Sequence, residues 1–102
     1  MFGFKKQSPA DKANKVMRPA IAFAAEKWAV FNRDVPFKPE VGLDMRIFAF
    51  MQPVSIALME KYEPLRKAPD SIFLLISAMA VERSGTHTRD QIESALGLTL
   101  PD

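Results

Sequence analysis

Prolines and glycines cut this chain into four pieces of helical length. Ser8-Pro9, Ala68-Pro69 and Thr88 have the chemistry of helix starts, and Gly85 and Gly97 that of helix stops. The most apolar stretch runs from Ile72 to Val81 and reads as a helix buried on most sides. The predicted fold is therefore all-α: a compact bundle of about four helices, without a sheet. Residues 1–7 read as a flexible basic N-terminal arm, and residues 8–102 as a single helical domain.

The first helix is predicted to open at Ser8-Pro9-Ala10-Asp11, with the Ser8 hydroxyl as N-cap, Pro9 at the first helical position and Asp11 at the positive end of the helix dipole. Val16, Met17, Ala20, Ile21, Ala24, Trp28 and Phe31 then recur at three- and four-residue steps, the spacing of one apolar face. Pro19 removes a helical hydrogen bond and disfavours helical geometry at Arg18. Because the apolar phase continues across it, the expectation is one helix kinked near Pro19. From Asn32 to Gly42 the prolines at 36 and 39 deny both helix and central strand. Their Pro-x-x-Pro spacing fits a structured loop better than a polyproline ligand, with Phe37 plugging the edge of the core.

The second helix is predicted from Leu43 or Asp44 to Tyr62, with Ile47, Phe48, Met51, Val54, Leu58 and Tyr62 on one side. Pro53 should bend it. Its first half is apolar nearly all round, which one buried face does not explain. Part of it must meet the Phe37 loop or another chain, so Phe37, Ile47, Phe48, Phe50 and Met51 form the candidate interaction surface. The third helix runs from about Pro69 to Ser84 and should be the most buried, with Leu75 and Met79 in the core. The fourth opens on Thr88-Arg89-Asp90-Gln91, a capping box in which the Thr88 hydroxyl and the Gln91 amide satisfy orphan backbone donors. It buries Ile92, Ala95 and Leu96.

Composition narrows the chemistry. A chain of 102 residues, 48% hydrophobic, is of one-domain size. With no cysteine, disulfides, thiolate metal sites and cysteine nucleophiles are excluded. The start, Met1-Phe2-Gly3-Phe4-Lys5-Lys6, lacks the apolar run of a signal peptide. The longest apolar segment is about half of a membrane span. The expected setting is the cytoplasm, with no transmembrane segment.

No catalytic constellation is recognised. His87 is the only histidine; Ser84 and Asp90 lie near it in one turn, but a triad needs tertiary structure to hold the base between its partners. The carboxylates do not take metal-ligand spacing: Glu60 and Glu63 sit among Lys61, Arg66 and Lys67 as surface ion pairs, and Glu26 reads as exposed. Neither a catalytic residue nor a cofactor is expected, and the chain is predicted to be non-enzymatic. The methionines at 17, 45, 51, 59 and 79 fill irregular cores and also suit adaptable binding surfaces.

Charge is asymmetric along the chain. Up to Arg18, five basic residues face one acid; from Asp70 onward, two basic residues face five acids. Weak pairing between the ends accounts for this, and the rival reading is that Lys5, Lys6, Lys12, Lys15 and Arg18 form an arm for an anionic nucleic acid or lipid surface. The segment from Thr88 to Leu98, ending Ala-Leu-Gly-Leu, resembles the first helix and turn of helix-turn-helix DNA-binding domains. That resemblance would imply a following recognition helix. None is expected in the few residues left before Asp102, and the acidic balance there would repel phosphates, so nucleic acid is a disfavoured partner. The function expected is a protein-interaction or self-associating module, such as a homodimer. Contact with an anionic partner through the arm is the alternative.

Overall fold

The computed structural model describes residues 9–101. Five α-helices follow in order: α1 (Pro9–Asn14), α2 (Met17–Asp34), α3 (Leu43–Lys61), α4 (Asp70–Ser84) and α5 (Arg89–Leu96), with a 3₁₀ turn at Glu63–Leu65. No strand occurs among the described residues, so the chain is an all-α bundle. The arm at 1–7 and the Ser8 cap lie outside the described residues.

The bend expected near Pro19 is a break. Lys15 and Val16 turn the chain, with their N–H groups donating to the carbonyls three residues back, Lys12 and Ala13, at 3.3 and 3.0 Å. The new helix starts at Met17, which puts Pro19 in its first turn. There the missing N–H is one of the four that no helix satisfies internally, so the proline costs nothing. Pro53 is handled differently. It is exposed inside a continuous α3, and the Ala49 carbonyl loses its helical donor there.

The three long helices carry the core. Phe23 meets Tyr62 while Phe31 meets Phe50, so α2 and α3 run antiparallel. The α2 helix presents Ala20, Ala24 and Trp28, all fully buried, at steps of four residues along one ridge. The α4 helix answers with Ser77, Ala78 and Ala80, also fully buried. Small side chains on both sides let two helix axes approach closely, and α2 with α4 is the most extensive pairing in the bundle. Among the described residues Ser77 is the one buried polar residue, and its hydroxyl donates to the Phe73 carbonyl at 2.7 Å, so it is not stranded.

The α4 helix is the most buried, but not through the two residues named from its sequence. Phe73, Ile76, Ala80 and Val81 are buried, whereas Leu75 and Met79 are half-buried and pack at the rim of the core. A helix apolar on every side carries no phase in its pattern, so the choice of inner face falls to its neighbours. The ends follow local chemistry. Gly85 at φ 80° and Gly97 at φ 66° take the left-handed conformation that stops α4 and α5. The Thr88–Gln91 capping box is complete: the Gln91 N–H donates to the Thr88 hydroxyl at 3.2 Å, and the Thr88 N–H to the Gln91 side-chain carbonyl at 2.9 Å.

Candidate interaction surface

The consecutive apolar residues of α3 point round a full turn, and the bundle takes only one side of it. Ile47 and Phe50 are buried in the core. They are removed from the surface that the sequence assigned to them, because the Phe50 ring sits between Trp28 and Phe31, with centroids 5.1 and 5.4 Å away. Met51 is half-buried against the same core. Phe37 plugs the edge as expected: half-buried, it lies 5.6 Å from the Phe31 ring and carries the Arg46 guanidinium 5.0 Å from its own centroid. Of the five candidates only Phe48, 41% exposed, faces solvent.

Around Phe48 the structure assembles residues the sequence reading did not single out as a face. Met45 and Ile56 are each 59% exposed, and Ala49 and Gln52 are exposed between them. The spacing 45, 48, 49, 52, 56 is one stripe on a helix of 3.6 residues per turn. Residues 47–59 contain no ionisable side chain at all. That charge-free run was the available signal. It was obscured because the inward residues of α3 are equally apolar.

A groove of about 340 Å³ lies between α2 and α3, lined by Val30 and Phe31 from α2, by Val35 just after it and by Phe50, Pro53, Val54 and Ala57 from α3, with Lys27 and Asp34 also on its lining. Val30 and Val35 are 42% and 36% exposed. The stripe gathers three large exposed apolar side chains on one helix face, unlike the scattered single residues normal on a monomer. A second depression, of about 420 Å³, lies along α5 between Asp90, Glu93, Gly97 and Thr99. It is shallow and polar, and among the described residues no group of three or more histidines and carboxylates is placed to hold a metal.

His87 sits where α4 turns into α5, in a hydrogen-bonded cluster. The buried Trp28 indole donates from Nε1 to the Thr86 hydroxyl at 2.9 Å, and His87 Nδ1 lies 3.0 Å from the same oxygen. Ser84 donates to the Val81 carbonyl at 2.6 Å and meets Thr86 at 3.2 Å. The histidine thus bonds Thr86 rather than Ser84 or Asp90, and the cluster ties the α4–α5 turn to α2. Burial, and then the positive charge of Arg46, push the His87 pKa below its ordinary 6.5. Close by, Arg89 donates to both Glu82 oxygens at 2.8 and 3.1 Å and to the Leu100 carbonyl at 3.3 Å. The pair holds the Glu82 carboxyl below its usual 4.5.

Of the basic candidates, Lys12, Lys15 and Arg18 are exposed around the break between α1 and α2, whereas Lys5 and Lys6 lie outside the described residues. No helix among the described residues is long and apolar enough to cross a membrane. No protein family, curated protein or solved structure matches this chain.

Proposed function

We propose that the chain is a non-enzymatic helical module that docks a protein partner through the outer face of α3, acting in the cytoplasm. The observation that carries this reading is the exposure of Met45, Phe48 and Ile56 on a helix side with no ionisable residue from 47 to 59. Leaving such a stripe in water forgoes roughly 25 cal/mol for each Å² of apolar surface, a gain that a partner recovers by covering it. The test is affinity capture with the immobilised chain and with the Phe48→Glu/Ile56→Glu double variant. A partner held by the wild type and released by the variant supports the reading. Equal capture by both places the contact elsewhere.

A second reading rests on its own observation. The α1 helix packs against the 3₁₀ turn, which gathers the exposed Lys12 and Lys15 towards the exposed Arg66 and Lys67 at one end of the bundle, where they outnumber the exposed acids Asp11 and Glu63 of the same elements. Such a basic end favours weak contact with an anionic surface. Binding to anionic vesicles that falls steeply between low and physiological salt, and falls again in Lys12→Ala/Lys15→Ala, is its expected signature.

A further inference from the structure

We infer that the partner covering α3 is a second copy of this chain, paired antiparallel through α3 about a two-fold axis at Gln52. The inference rests on the docking reading above and adds the occupant and the register. A two-fold interface must be self-complementary, since each residue meets the symmetry mate of its counterpart. The outer face of α3 has that property. Met45 and Met59 lie seven residues to either side of Gln52, and Phe48 and Ile56 four residues to either side; Met45, Phe48 and Ile56 are exposed, whereas Met59 is half-buried against the core. In an antiparallel pair centred on Gln52, Met45 is therefore level with the Met59 of the second copy, Phe48 is level with its Ile56, and the two Gln52 side chains meet at the axis. The matched stripe is about 21 Å long at 1.5 Å per residue.

Polar groups agree with this register. Each Gln52 amide has both a donor and an acceptor, so two of them on the axis satisfy one another reciprocally. Within reach on the same exposed face is the Ala49 carbonyl, deprived of its helical donor by Pro53, and the Gln52 amide of the other copy can donate to it. Charge agrees too. Arg46 and Glu60 are about 40° apart around the helix, and so lie on one flank. In a two-fold antiparallel pair like flanks face each other, which brings Glu60 of one copy within a turn of Arg46 of the other, twice by symmetry. Neither residue makes an ion pair among the described residues, and the Arg46 guanidinium, 5.0 Å from the Phe37 ring, is only partly buried. Asp44 and Glu60, at mirrored positions in sequence, are about 160° apart and fall on opposite flanks, so the like charges do not meet.

One helix face of this length covers less than the roughly 800 Å² per partner of a stable interface. The dimer is accordingly weak, with a dissociation constant on the order of tens of micromolar.

The chain has no cysteine, so single-cysteine variants read the geometry directly. Sedimentation equilibrium of the full chain should follow a monomer–dimer equilibrium, weakened at least tenfold in Phe48→Glu/Ile56→Glu with the helical circular dichroism unchanged. Under mild oxidation Gln52→Cys should cross-link to itself, well above an exposed control such as Arg83→Cys. Met45→Cys and Met59→Cys should cross-link when mixed and not alone. A monomer up to about 0.5 mM, or self-cross-linking of Met45→Cys equal to that of Gln52→Cys, overturns the inference. The docking reading is judged apart from it: a strict monomer that still binds an apolar dye, and loses it in Phe48→Glu/Ile56→Glu, keeps the α3 face as a site for a different protein, whereas a monomer that binds no dye removes both.

Discussion

Phe48 and Phe50 stand two residues apart in one apolar run, and the fold gives them opposite fates. Truncating each to alanine should separate them by a wide margin. Phe50 is 1% exposed and packs against the Trp28 and Phe31 rings. Removing a fully buried phenylalanine costs about 3–5 kcal/mol, and the aromatic contacts are part of that loss. We expect about 4 kcal/mol for Phe50→Ala, a large share of the 5–15 kcal/mol typical of a domain. Phe48 keeps 41% of its surface in water, leaving only part of the ~1.5–3 kcal/mol of full side-chain burial to lose. About 1 kcal/mol is expected for Phe48→Ala. Trp28, the only tryptophan, sits inside the affected cluster, so urea denaturation followed by its fluorescence and by circular dichroism reads both variants. With a slope of about 1–3 kcal/mol per molar urea, Phe50→Ala should lower the midpoint by roughly 2 M. The work belongs at low micromolar protein, below the dimerisation range, so that only the monomer is measured. Equal losses for the two variants, or a loss under 1 kcal/mol for Phe50→Ala, would refute the assignment of α3's inner and outer faces.

Three further outcomes follow from local chemistry. Arg89→Ala removes the paired contacts to Glu82 and the bond to the Leu100 carbonyl; for a pair with side chains 30% exposed it should cost about 1–2 kcal/mol. Because Glu82 is held below 4.5 in the folded state, that difference should be present above pH 4.5 and shrink as the pH falls through the folded value; a gap independent of pH would disprove the pairing. His87 is depressed below 6.5, so the unfolded chain takes up the proton first as the pH falls, and wild-type stability should decline below about pH 6.5. The His87→Gln variant should lack that part of the decline, and identical slopes between about pH 7.5 and 5.5 would count against it. Thr88→Ala should cost about 1 kcal/mol through the lost cap, with Thr88→Ser retaining most of it.

The parts of this fold legible in the sequence are those decided within a turn or two of chain. The stops at Gly85 and Gly97 and the capping box at Thr88 are settled by local backbone geometry, and all three stand where the sequence put them. Pro19 shows where local reading ends. Its chemistry fits a kinked helix and the first turn of a new one equally well, and the choice depends on α1 packing against the 3₁₀ turn. The inner face of α4 was illegible for a related reason: Leu75 and Met79 are as apolar as Phe73 and Ile76, and only the α2 alanines decide which of them fit inside. The interaction surface was half legible. An excess of apolar residues on α3 is a property of sequence, but its division between Phe50 within and Met45, Phe48 and Ile56 without is a property of packing. The bond from Trp28 to Thr86 spans 58 positions and has no local signal.

A dilution series of amide NMR spectra on the full chain, from about 1 mM to 20 µM, reads the α3 contact residue by residue. Concentration-dependent shifts are expected along the outer face of α3, at Met45, Phe48, Ala49, Gln52 and Ile56, with the buried α4 residues Ile76, Ser77, Ala78, Ala80 and Val81 unmoved. Spectra that do not change with concentration, or shifts confined to α4, α5 or the α1–α2 break, would contradict that contact.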